Sequence, residues 1–170
     1  MACYAARVRE QSRDHQPLAG LFGREVILVP IPARAPEPHS GPWAAARLAR
    51  ALRDAGLGSA VWTGLRRVEV MRKSATAPCR ERPSVPEHYR SLAVEGCLIA
   101  PARLMLVDDV VTKGRTLLAG AMRLREAFPT AEIRAFALLR TLGRVPDIAR
   151  LLEPCQGTIR WEAEDACREP

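Results

Sequence analysis

The chain has 170 residues, of which 48% are hydrophobic, and its formal net charge is +7. The length suits one domain with a buried core, no apolar run reaches the ~20 residues of a membrane span, and the N-terminus lacks the apolar segment of a secretion signal. The five cysteines are odd in number and lack zinc-ligand spacing, which argues against a disulfide framework or structural zinc and indicates free thiols in the cytoplasm.

The first part of the chain alternates between helical and extended patterns. A short apolar run with β-branched members is typical of a buried strand, and small or apolar side chains opposite a row of arginines predict an amphipathic helix. The predicted elements are a weak helix within 4–22, a strand at 25–29, a rigid loop to Gly41, a helix at 44–53 and a second strand at 59–65.

Residues 66–90 are rich in Arg, Lys and Pro and carry few large apolar side chains. Such a stretch buries little surface, so we expect one long exposed loop, with His88 at the surface. Loops of this length are either functional or disordered, and the sequence leaves both readings open. A brief strand is expected at 92–94.

The segment from Arg103 to Thr116 is the most informative. Four apolar residues lead into Asp108 and Asp109, and residues 112–116 then open a helical pattern. We expect a buried strand that ends at the two acids, followed by a loop whose N–H groups and helix dipole favour an anion. Because two carboxylates can accept from a vicinal diol, the segment predicts a sugar phosphate site. Alternatively, the acids merely favour the start of the helix.

Further elements complete an alternating pattern. They are a helix at 117–128, a strand at 132–139, a short helix at 145–152 and an edge strand at 158–161. Strands that alternate with helices predict an α/β fold, with a mainly parallel twisted sheet flanked by helices and right-handed crossovers, as in Rossmann-like folds. Ligands of such sheets bind beyond the carboxyl ends of the strands, where the acidic segment is expected.

Residues 104–116 resemble the motif of type I phosphoribosyltransferases that binds 5-phosphoribosyl diphosphate (PRPP). They match its pattern at every position but one, where Lys113 replaces the usual Gly or Thr. Residues 28–32 resemble the start of the diphosphate loop in the ComF/GntX-like branch, and 65–94 resemble its Leu-Arg-Arg opening and arginine-rich loop. The Asn-Gln of that branch is missing, and its N-terminal zinc ribbon has no counterpart in these residues.

The resemblance implies a single phosphoribosyltransferase-like domain over 1–170, with its core at about 20–142, a short hood and a long flexible loop. Arg72 and Lys73 would close over the diphosphate, although a solvated basic loop is the alternative. Mg²⁺ would be held through substrate and water near the acids. In the implied site, the diphosphate is bound by Ile31, Pro32, Ala33 and Arg34. The ribose is bound by Asp108 and Asp109, which are followed by Val110 and Val111 of the same binding segment. The 5′-phosphate is bound by Thr112, Lys113, Gly114, Arg115 and Thr116.

The implied activity is transfer of the phosphoribosyl group from PRPP to an unidentified, nucleobase-like acceptor, with release of diphosphate. We expect no membrane partner, and a homodimer is compatible with this reading. Two alternatives stay open. One is a module of the same fold that senses PRPP or a nucleotide without turnover, and the other is a ComF-like accessory protein in DNA uptake. The +7 charge suits nucleic acid, but an aromatic content of 5% serves base stacking poorly.

Overall fold

The computed structural model describes residues 1–14, 18–36, 42–71, 82–96, 101–141, 153–163 and 165–169. The helices within these residues are α1 (Ala2–Asp14), α2 (Ala44–Asp54), α3 (Val85–Arg90) and α4 (Arg115–Ala127). The strands are β1 (Val26–Pro30), β2 (Ala60–Val61), β3 (Leu65–Arg67), β4 (Leu92–Val94), β5 (Arg103–Val111), β6 (Glu132–Arg140), β7 (Thr158–Glu162) and β8 (Asp165–Glu169). None of the described helices is long and apolar enough to cross a membrane.

Four strands form one parallel sheet in the order β2-β1-β5-β6. The connection through α2 carries the chain from β1 outward to β2, whereas the connection through α4 carries it from β5 outward to β6. The direction of winding therefore reverses between β1 and β5. This architecture confirms the predicted α/β class with a parallel sheet flanked by helices.

The buried side chains of β5 divide between the two faces of the sheet. Met105 and Val107 pack in the same cluster as Leu48 of α2, whereas Leu104 and Leu106 belong to the cluster that includes Leu117 and Leu124 of α4. A parallel strand covered on both faces needs apolar residues at every position, and this explains the unbroken run before the acids. The sheet thus fixes β5 rigidly up to its carboxyl end.

The prediction of one exposed loop over 66–90 was wrong for the described part of that segment. β3 pairs antiparallel with β4 in a separate two-stranded sheet, and α3 lies between them in the chain. Ser84 and Glu87 form a capping box at the start of α3, a spacing that could have predicted the helix. The surface placement expected for His88 was also wrong, because this side chain is buried. Arg72 and Lys73 lie outside the described residues.

Two further strand predictions need correction. The strand expected at 59–65 is divided, because only Ala60–Val61 pairs with β1, while Leu65 begins β3. The edge strand expected at 158–161 does not join the main sheet: β7 pairs with β8 in a separate antiparallel hairpin, here called the β7–β8 hairpin. The helix expected at 145–152 lies outside the described residues.

Candidate functional site

Asp108 and Asp109, here called the acid pair, lie within β5 and not at its end. The predicted strand end was wrong because β6 continues to pair beyond them, as far as Val111 with Arg140. The neighbour on the other side is shorter, since β1 ends at Pro30 opposite Val107. The acid pair therefore begins where β1 ends, at the carboxyl edge of the sheet.

The two acid side chains share one local environment. The Asp108 carboxylate oxygen accepts a hydrogen bond from the backbone N–H of Asp109 at 2.9 Å. Burial, followed by the neighbouring Asp109 side chain, raises the pKa of Asp108 to about 8. Near neutral pH the Asp108 carboxyl is therefore largely protonated.

Arg67 of β3 is buried, with only 6% of its surface exposed, and it interacts electrostatically with Asp108. It donates hydrogen bonds to the backbone carbonyl of Ala33, at 3.3 Å, and to the Ser91 hydroxyl. Burial lowers its pKa to about 10, opposed by the charge of Asp108. Arginine side chains are almost never fully buried unless they are paired with another group, so Arg67 is not an ordinary solvated surface residue. The sequence analysis missed this role because it assigned Arg67 to an exposed loop.

Residues 31–34, here called the β1 loop, follow β1 at the same edge of the sheet. The Ile31 N–H donates to the Val107 carbonyl at 2.9 Å, and the Trp43 indole donates to the Ile31 carbonyl at 2.7 Å. Pro32 and Ala33 line a cavity of about 340 Å³ together with Arg67. Arg34, by contrast, is exposed and is not among the residues that line this cavity.

Residues 112–116, here called the β5 loop, connect β5 to α4. Gly114 is the N-cap of α4 in the left-handed conformation, with φ of 84°, and no side chain caps the helix. A side chain at this position would be strained, and the backbone amides that follow are of the kind that bind anions. The local conformation is thus the one expected for this loop.

The β7–β8 hairpin covers the β5 loop. The Asp165 carboxylate accepts hydrogen bonds from Arg115 through Nε and, at 2.6 Å, through Nη2, and from Lys113 Nζ at 3.0 Å. The hydrogen bond from Arg115 holds the pKa of Asp165 well below its usual range. Ile159 lies directly against Gly114. The sequence analysis missed Asp165, which is 50 residues from Arg115 in the chain.

The buried side chain of His88, on α3, lies next to the β5 loop. Its Nε2 lies 3.4 Å from the Thr116 hydroxyl, and Nδ1 is buried without a partner. Burial, followed by the nearby charges of Arg67 and Arg115, lowers its pKa to about 4. The imidazole is therefore neutral near pH 7. The backbone carbonyl of His88 accepts a hydrogen bond from the Ser91 hydroxyl, to which Arg67 donates.

The donors at this edge are compatible with Mg²⁺ bound mainly through a substrate. Among the described residues, no group of three or more His, Cys, Asp or Glu side chains is placed to hold a metal ion. The acid pair supplies two carboxyl groups, too few for a site made of protein alone, but Mg²⁺ commonly takes one or two carboxylates plus phosphate and water. A larger cavity, of about 760 Å³ between α1 and α2, is lined by none of the candidate residues.

No protein-family model matches this chain, and no curated protein sequence matches it. The likeness to type I phosphoribosyltransferases therefore depends on the motif itself and stays a prediction.

Proposed function

We propose that this chain binds PRPP together with Mg²⁺ and transfers the phosphoribosyl group to a nucleobase-like acceptor, releasing diphosphate. The observation that supports this most is the position of the acid pair. It lies on β5 directly beyond the end of β1, the two strands between which the winding of the sheet reverses, and the two candidate loops follow these strands. Open α/β sheets bind their ligands in the crevice at such a point. In this proposal the domain is a cytoplasmic, type I phosphoribosyltransferase-like fold.

The acid pair would bind the ribose. Both side chains offer oxygen acceptors to the 2′- and 3′-hydroxyls, and the Asp108 carboxyl, largely protonated near neutral pH, can also donate a hydrogen bond. The β5 loop would bind the 5′-phosphate through its backbone amides and through Lys113 and Arg115. The β1 loop would bind the diphosphate, with Arg67 behind it.

Transfer breaks the bond between ribose C1 and the diphosphate oxygen, which leaves with the bonding electrons, and the acceptor nitrogen forms the new bond to C1. Because positive charge grows on the ribose and negative charge on the diphosphate, the chain would contribute mainly placed charges. The acid pair faces the ribose side and Arg67 the diphosphate side. Mg²⁺, when bound near the acid pair, would neutralise part of the diphosphate charge.

The double variant Asp108→Asn/Asp109→Asn tests this assignment. We expect it to lose PRPP binding in calorimetry with Mg²⁺ and to keep its fold, since both substitutions preserve shape. The matched control is Glu10→Gln/Asp54→Asn, which also replaces two carboxyl groups by amides, at the groove between α1 and α2. The assignment is wrong if the acid-pair variant binds PRPP as tightly as the wild type does.

A sensing module without turnover is the second candidate. It is favoured by the contact of Asp165 with both cations of the β5 loop, and by Lys113 at a position where the resembled motif has Gly or Thr. A diphosphate-release assay over a panel of bases separates the two. Release with any acceptor supports the enzyme, whereas PRPP binding without release across the panel supports the sensor.

A further inference from the structure

The β7–β8 hairpin reaches the candidate site mainly through charged and polar contacts. Arg168 donates to the Thr141 carbonyl at 2.6 Å and, more weakly, to the Val111 carbonyl at 3.5 Å. Asp165 binds the cations of the β5 loop. The apolar contribution is small: Ile159 against Gly114, and the buried Ala166. The remaining side chains of β7 are exposed.

The Asp165 carboxylate binds the two cationic side chains that an anionic ligand of the β5 loop would use. It accepts two hydrogen bonds from the Arg115 guanidinium in the paired geometry that arginine also uses with phosphate. Lys113 adds a third hydrogen bond at 3.0 Å. Ile159 lies against the Cα of Gly114, at the point where close backbone approach would matter most for a phosphate.

We propose that the β7–β8 hairpin is an internal competitor for the 5′-phosphate site, with Asp165 as its anionic group. The proposal rests on the function proposed above, because it assumes that the β5 loop binds a phosphate. The hairpin and a sugar phosphate then exclude each other, since both need Lys113, Arg115 and the surface of Gly114. The chain binds its ligand only in the fraction of molecules whose hairpin has left the loop.

The charges make this exchange feasible. An isolated two-stranded hairpin is marginally stable, and this one makes only a small apolar contact with the domain. Its packing against the β5 loop therefore depends strongly on the hydrogen bonds of Asp165. A phosphate dianion attracts the same two cations more strongly than a single carboxylate does. The apparent affinity for a phosphate falls in proportion to the competent fraction, so removal of the Asp165 charge should raise that affinity by about tenfold or more.

Calorimetry with ribose 5-phosphate on the full chain tests the competition. Asp165→Asn removes the charge and keeps the shape, and we expect its dissociation constant to be about tenfold lower than that of the wild type. The matched control is Glu169→Gln on the same strand, whose carboxylate lies 3.8 Å from Arg160 within the hairpin. It makes the same change in net charge and should bind within about twofold of the wild type.

Hydrogen exchange on the wild-type chain gives a second readout that does not depend on the folding of a variant. Saturating ribose 5-phosphate should speed amide exchange in 158–162 and 165–169 and leave β1 unchanged. Equal affinity of wild type and Asp165→Asn, with unchanged hairpin exchange, overturns the competition and leaves the phosphate site standing. Weaker binding by Asp165→Asn also overturns it. Failure of every variant to bind ribose 5-phosphate and PRPP overturns both proposals.

Discussion

Replacing Asp108 with asparagine should change the way in which stability depends on pH. The pKa of Asp108 is raised from 3.8 to about 8 by burial and by the neighbouring Asp109 carboxyl. Between these values the folded chain binds a proton that the unfolded chain has released, so the free energy of unfolding falls as pH rises. At 1.36 kcal/mol per pKa unit, the whole interval costs about 6 kcal/mol, a large part of the ~5–15 kcal/mol that stabilises a typical domain.

His88 produces the opposite dependence over part of this interval. Its pKa is lowered from 6.5 to about 4, mainly by burial, so the unfolded chain binds the extra proton there. The free energy of unfolding therefore rises with pH from about 4 to 6.5, by about 3 kcal/mol. The two effects cancel in that range. Only Asp108 acts between pH 6.5 and 8, where the wild-type chain should lose about 2 kcal/mol.

Urea unfolding at about pH 5, 6.5 and 8 separates the two groups. The free energy of unfolding of the wild type should be nearly constant up to pH 6.5 and should then fall. For Asp108→Asn, the free energy of unfolding should rise up to pH 6.5 and then stay constant. For His88→Gln, it should fall over the whole range from pH 5 to 8. If Asp108→Asn still loses as much stability as the wild type between pH 6.5 and 8, Asp108 does not hold the buried proton and the reasoning fails.

Two further variants test the packing and the charge of the site. Gly114→Ala should destabilise the fold by about 2 kcal/mol or more, because φ is 84° and the new Cβ would lie 2.6 Å from Ile159. The matched control Gly56→Ala, with φ of 80° and open space around the new Cβ, should show the cost of the backbone conformation alone. Equal losses of melting temperature in the two variants would contradict the Ile159 contact. Arg67→Met removes the cation whose charge lowers the pKa of Asp108, and should raise the pKa of that carboxyl further in a carbon-13 NMR titration. An unchanged titration would contradict this contact.

The elements that carry the site were predictable because their patterns are local. The apolar run of β5, the amphipathic stripe of α2 and the start of α4 after the glycine each contain enough information in a dozen residues. The end of β5 was not predictable in this way. Two carboxylates disfavour a strand interior, but pairing with β6 continues past them, and pairing depends on a partner that the local sequence does not reveal.

The buried charges were the main omission, and the reason is general. Arg67 and His88 occur among polar residues and prolines, which is a composition typical of exposed loops. They are buried because β3 and α3 fold against the β5 loop and the β1 loop, contacts that are distant in the chain. Asp165 was missed likewise, since a lone acid in a short strand carries no pattern that separates it from a surface residue.

The charge balance of the site links the two proposals while keeping them separately testable. Lys113 and Arg115 both contact the single carboxylate of Asp165, and the charges of Arg67 and Asp108 influence each other. A ligand with several phosphate charges would therefore compete with acids that already contact these cations. It needs both release of the β7–β8 hairpin, which removes the Asp165 carboxylate from Lys113 and Arg115, and a divalent cation at the diphosphate. These requirements act at opposite ends of the ligand, so ribose 5-phosphate reports on the first and PRPP with Mg²⁺ on both.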